Sequence, residues 1–198
     1  MSAPTYDLEI VKGKTFAQAY LYASERMVFK PITASPLAAP YRITVPGHGA
    51  PDGWRVRIEG AKAPAELNTA ADDYLLATVI DADTIEFNGL NGSAWKAYSS
   101  GGLLVYSEPS LLTGWTARAQ VRTKIGGPVL FTWHSDPATS PDGLITIDGP
   151  VLMLHMDAAT SAALSWSKGF YEIEIEQAGE VRQMIAPSLV AIIGEVTV

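Results

Sequence analysis

The chain has no cysteine at any of its 198 positions. That removes disulfide scaffolds, thiol nucleophiles and zinc–thiolate sites together, and leaves the compartment open, since a cysteine-free protein tolerates either redox state. Basic residues are scarce: Lys and Arg number 14 against 21 Asp and Glu, for a formal net charge of −7. Nucleic-acid binding needs clustered cations to neutralise phosphates, so no nucleic-acid partner is expected. Long apolar runs are also missing. The longest, "MIAPSLVAIIG", is broken by Pro187 and falls short of the roughly 20 residues a membrane helix needs. The opening "MSAPTYDLEIVKGK" lacks a basic start followed by an apolar core. No secretory signal and no membrane partner are expected, and the chain reads as soluble.

What is present is alternation. In "YEIEIEQ", Tyr171, Ile173 and Ile175 share one face, with Glu172, Glu174 and Glu176 on the other. In "TARAQVR" the inward set is Ala117, Ala119 and Val121, and "GLITIDG" and "WRVRIEG" repeat the pattern. Period-two patterning of this kind marks antiparallel strands with one face in a core and one in water. "PDG" at 51–53 and 141–143, and "NG" at 88–89 and 91–92, supply turn residues that tolerate positive φ. One short helix is predicted, "AATSAAL" capped by Asp157. The fold class is therefore all-β. The stretch 35–107 opens at "ASPLAAP" and closes after "AYSSGGLLVYSEP", both linker-like compositions. Strands are expected near 41–46, 53–59, 74–80, 83–88 and 103–106, enough for a small β-barrel inserted into a domain made of residues 1–34 and 108–198.

Two patterns in these segments resemble known modules. "LTGWTARAQVR…GLITID…VLMLHMDAATSAALSWSKGFYEIEIEQAGEVRQMIAPSLVAIIGEVT" resembles a β-sandwich module of tailed-bacteriophage virion proteins, and "YDLEIVKGKTFAQAYLY" is similar to its opening strands. That resemblance implies an immunoglobulin-like or related β-sandwich built from both chain ends. The intervening part matches a small barrel module of phage tail proteins at Ile43, Thr44, His48, Gly49, Gly53, Val56, Ile58, Asn68, Tyr74, Thr84, Tyr98, Gly101 and Gly102. That module is similar to the first catalytic-cysteine half-domain of ubiquitin-activating enzymes, and without cysteine the likeness implies fold and not ubiquitin chemistry.

The resemblances imply a virion structural protein and not an enzyme. It would sit in the tail or baseplate, or anchor a tail fibre, through protein–protein adhesion in a symmetric ring of copies and other virion proteins. A capsid decoration or head–tail collar role, or a carbohydrate-binding receptor module, are the alternatives. Residue by residue, "PGHGAPDGW" frames His48 with Gly47 and Gly49 and adds Gly53. No acid or nucleophile beyond Asp52 lies near in sequence, so an architectural loop is expected there and no catalytic residue. His134 in "WHSD" has Ser and Asp as immediate neighbours, whose side chains alternate in direction along a strand, and no G-x-S-x-G elbow is present. His155 alternates with Leu154 and Met156 on a strand face. The three histidines lack zinc spacing, and Asp81-Ala-Asp83 lacks the sixth-position glycine of a calcium loop, so no metal and no cofactor are expected. Asp72-Asp73 and Asp81-Ala-Asp83 could also serve as a glycosidase pair, which needs two carboxylates across a cleft, and the favoured reading is that Asp73 and Asp81-Ala-Asp83 flank "YLLATVI" and shape its turns. The tryptophans admit two readings, caps on the sandwich and barrel cores or anchors of an interaction surface; Trp95 in "NGSAWKAYSS" is the one expected to be exposed, where with Tyr98 it would form such a surface.

Overall fold

The computed structural model describes residues 3–139 and 141–194. The closing "EVT" of the C-terminal pattern and the first two residues of "MSAPTYDLEI" lie outside the described residues. In chain order the strands begin with β1 (Leu8–Val11), β2 (Phe16–Leu21), β3 (Ala23–Pro31), β4 (Tyr41–Thr44) and β5 (Arg55–Ala61). There follow β6 (Leu75–Leu76), β7 (Thr78–Val79), β8 (Thr84–Phe87), β9 (Gly101–Pro109) and β10 (Thr116–Arg122). The last are β11 (Val129–His134), β12 (Gly143–Asp148), β13 (Val151–Met156), β14 (Lys168–Gln177) and β15 (Glu180–Ile193), with the helix α1 (Ala158–Ala163) between β13 and β14. The chain is all-β. It divides into two compact units, Met1–Tyr22 with Leu111–Val198, and Ala23–Ser110. Composition placed the junctions at 34/35 and 107/108. The pairing of β3 with β9 moves the first junction upstream, because the 23–31 backbone finds its hydrogen-bond partners in the second unit.

The first unit is an eight-stranded ladder in the order β1-β15-β14-β10-β11-β12-β13-β2. Its inward faces are those the alternation marks. Ala117, Ala119 and Val121 of β10 stand opposite Ile175, Ile173 and Tyr171 of β14, so small residues face large ones across the layer. Arg118 faces outward opposite Glu174, joined by a 2.7 Å ion pair. The ladder narrows to Trp133↔Gly143 and His134↔Leu144, a short parallel contact between β11 and β12. The buried core of this unit includes Trp133, Leu152, Leu154, Ile173 and Val190. β15 carries Pro187 inside a strand without breaking it. The register with β14 shifts between Tyr171↔Ser188 and Ile173↔Ile185, so the residue without an N–H falls in a bulge. The chain from Pro4 lies along that bulge: the Ala186 N–H donates to the Pro4 carbonyl at 2.8 Å and the Tyr6 N–H to Ser188 Oγ at 2.9 Å. Asp157 caps α1 as expected, accepting from the Thr160 N–H at 2.6 Å, and that bond holds its carboxyl below the ordinary value.

The second unit wraps two sheets, β3-β9-β5-β6 and β4-β8-β7, around Tyr41, Ile43, Trp54, Ile58, Ile85, Phe87 and Leu104. The expected strand 74–80 is split. Ala77, 1 % exposed, donates to the Trp54 carbonyl at 2.9 Å and accepts from the Gly53 N–H at 2.8 Å. On either side of it the chain pairs with different sheets, β6 with β5 and β7 with β8. One short segment thus serves both layers.

Candidate functional site

The loop after β4 is bonded both to itself and to distant segments of the second unit. Gly47 and Gly49 adopt φ of 57° and 70°, a left-handed conformation costly for other residues, and so turn His48 inward until it is 2 % exposed. The Ala50 N–H donates to Nδ1 at 3.1 Å, so Nε2 carries the hydrogen and donates to the Asp81 carbonyl at 2.9 Å. The Tyr106 hydroxyl donates to the His48 carbonyl, and burial pushes that phenol upward from its ordinary pKa. The loop 81–83 completes the clasp. The Gly47 N–H donates to Asp83 Oδ1 at 2.7 Å and the Asp83 N–H to Asp81 Oδ1 at 2.8 Å. The latter bond, then the Thr84 hydroxyl, holds the Asp81 carboxyl below its ordinary value. Gly53 sits in the adjoining turn at φ 70°. Asp52 also serves that turn, accepting from the Val79 N–H at 2.9 Å.

Both ring nitrogens of His48 are therefore spent on backbone groups, and the loop acts as a staple between the 47–50 and 81–83 connections. Replacing His48 by Ala would leave the buried Ala50 N–H without its acceptor and cut the link to the Asp81 carbonyl. The expected result is a loss of about 2–3 kcal/mol of stability, measurable by urea denaturation. A shift under about 0.5 kcal/mol would show that the ring does not carry the clasp.

His134 and His155 are separate from this loop and from each other's bonding. His134 Nδ1 accepts from the Asp136 N–H at 2.9 Å, and His155 Nε2 meets Thr146 Oγ1 at 2.8 Å. Among the described residues, no group of three or more His, Asp or Glu is placed to hold a metal ion.

Trp95 differs from its expected exposure. It is half-buried, its ring 4.8 Å from that of Tyr41 at 53°, and Gly92 lies beneath the pair with no room for a β-carbon: one there would come within 2.0 Å of the Tyr41 ring. Tyr98 is half-buried as well, its hydroxyl 2.8 Å from the carbonyls of both Ile32 and Gly101. Both aromatics pin the 91–101 segment to its own core. Trp54 and Trp133 are buried and Trp115 and Trp166 half-buried, so no tryptophan stands free.

An accessible apolar surface of this unit lies along β6 and β7. Tyr74, Leu76 and Ile80 are 46, 62 and 46 % exposed. Tyr74 and Leu76 line an open groove of about 470 Å³ with Leu75, Phe87, Asn88 and Leu90. The sequence carried a signal for it. In "YLLATVI" every residue but Thr78 is apolar, and a strand with one wet face has no need of a second greasy one. Its lining sets this apolar area beside the polar side chains of Asp52 and Asn88. Compared with known proteins, the chain matches no protein-family model and no curated protein sequence.

Proposed function

We propose that the chain is a non-enzymatic structural component of a tailed-phage virion, in the tail or baseplate or anchoring a tail fibre, and that it acts by adhesion to other virion proteins. The observation that carries this reading is the paired sequence resemblance, with the sandwich pattern in both chain ends and the small-barrel pattern between them. The all-β class supports it. So does the internal use of His48, whose ring is occupied in holding loops, and the apolar groove at Tyr74 and Leu76, which offers contact area with a polar rim at Asp52 and Asn88. Copies would repeat around the symmetric axis of a tail, with partners among its neighbouring proteins.

Purified particles provide the test. Mass spectrometry should find the protein in the virion, and immunogold labelling should place it at the tail or baseplate. Label on the head would favour a decoration or collar role, and absence from the particle would overturn the structural reading.

A further inference from the structure

A sheet that ends in solvent presents unpaired N–H and C=O groups, and proteins blunt such edges with brevity, charge, proline or bulges. Most edges of this chain are blunted. β6 and β7 are two residues each. β4 is flanked by a bridge from Ala34 to Thr44. β3 carries Glu25, Arg26, Lys30 and Pro31 and shifts register between Ala23 and Met27. β1 has four residues, one of them Glu9.

β2 is different. Its six residues, "FAQAYL", include no charge and no proline, and all six pair with β13 in unbroken register. The Tyr22 N–H donates to the Pro150 carbonyl at 2.8 Å on the β13 side. By antiparallel alternation Gln18 and Tyr20 bond the same way, and the N–H and C=O groups of Ala17, Ala19 and Leu21 point to the open side. There the Gln18 side chain donates from Nε2 to the Ala19 carbonyl at 2.9 Å. Ala17 and Ala19 are exposed and Leu21 is 37 % exposed.

We propose that β2 is a self-association edge, on which two copies of this chain pair β2 with β2 in antiparallel around a two-fold axis at Ala19. The occupant follows from the charge pattern. A two-fold axis sets each edge residue against its own copy or its mirror position, so a charged edge meets its own sign. β2 has none to repel. Ala19 stands opposite Ala19 and Ala17 opposite Leu21 on one face, and Phe16 opposite Tyr22 on the other, with each outward N–H finding a carbonyl. The partner's amide then replaces the Gln18 side chain at the Ala19 carbonyl. Nothing in this pairing depends on the virion reading.

Sedimentation equilibrium of the full chain at tens of micromolar should show a monomer–dimer equilibrium. Ala19→Pro removes only an outward N–H, and Ala19→Lys sets like charges face to face. Each should weaken dimerisation by at least about tenfold while far-UV circular dichroism stays that of the parent chain. Should Ala19→Pro prove unfolded, Ala19→Lys decides, since it changes only an exposed side chain. The chain has no cysteine, so Ala19→Cys is a clean probe. Hydrogen-bonded antiparallel pairs hold Cα atoms about 5.5 Å apart, within disulfide reach, and mild oxidation should link Ala19→Cys copies far faster than Lys124→Cys copies. A parent chain that stays monomeric overturns the proposal. So does a dimer indifferent to both Ala19→Lys and Ala19→Pro, or open-ended polymers in which the β1 edge of one copy takes β2 of the next.

Discussion

Trp133→Ala is expected to cost the first unit about 4–5 kcal/mol, the largest loss of any single substitution considered. The indole is fully buried, 4.5 Å from the Phe131 ring and 6.2 Å from that of Phe16, and its Nε1–H donates to the His155 carbonyl at 3.0 Å. Truncation removes the ring's burial, leaves a cavity that strands cannot close, and loses the indole hydrogen bond. The position magnifies the damage. Trp133 pairs with Gly143 where β11 passes to β12, and a β-carbon at residue 143 would lie 2.6 Å from the indole, so ring and glycine are fitted to one another. With whole-domain stabilities of about 5–15 kcal/mol, this loss leaves little. Urea denaturation followed by far-UV circular dichroism measures it without relying on the deleted fluorophore. Trp133→Phe keeps most of the packing and should cost about half as much. A shift below about 1 kcal/mol for the alanine variant would mean that the core around the β11–β12 contact does not rest on this side chain.

The second large effect is alkaline destabilisation through a tyrosine cluster. Tyr171 Oη donates to the Tyr6 carbonyl at 2.5 Å and lies 2.9 Å from Tyr20 Oη, while the Tyr6 ring meets the Tyr20 ring edge-on at 5.8 Å. Burial, partly opposed by the bond to Tyr171, pushes the Tyr20 phenol up to about 12. Burial and then the bond to Tyr20 push Tyr171 upward too. An unfolded chain releases these protons near pH 10, while the folded chain keeps them. The folded state therefore binds more protons in that window, and stability falls as pH rises. The contribution is fully present below about pH 10 and is lost progressively toward about pH 12, by about 2 kcal/mol from Tyr20 with Tyr171 adding in the same direction. Denaturation midpoints at about pH 9 and about pH 11 read this directly. Tyr20→Phe combined with Tyr171→Phe should flatten the decline. An unchanged slope in that double variant would assign the alkaline loss elsewhere.

Local patterns carried much of this architecture. The inward sets of β10 and β14, the cap at Asp157 and the turns at 51–53 and 88–89 follow from side-chain period and backbone preference, which act over a few residues. The same reasoning reached the loop at His48, because two glycines around one residue signal a backbone that only glycine adopts cheaply. It did not reach the partners. Asp81, Asp83 and Tyr106 are distant in sequence, and which carbonyl faces an imidazole depends on how two loops meet. The expectation for Trp95 failed for a related reason. Its polar neighbours suggested exposure, but Gly92 opens a space only the folded chain reveals, and the Tyr41 ring fills it.

Strand pairing shows the same division on a larger scale. The residues of "YLLATVI" declare a β-strand, and nothing in them declares that Ala77 will hand the chain from one sheet to another. The backbone of 23–31 reads as a continuation of the opening strands until its hydrogen bonds are traced to β9. Pro187 looks like a break until the bulge opposite β14 absorbs it. The sequence by itself determined that this is a cysteine-free, acidic, all-β chain with defined inward faces, because those properties depend on composition and on neighbours along the chain. The tertiary structure alone decided which strands lie at the edges. An edge is a strand whose hydrogen-bonding groups find no partner, and only the completed ladder shows that β2, uncharged and unbulged, is one.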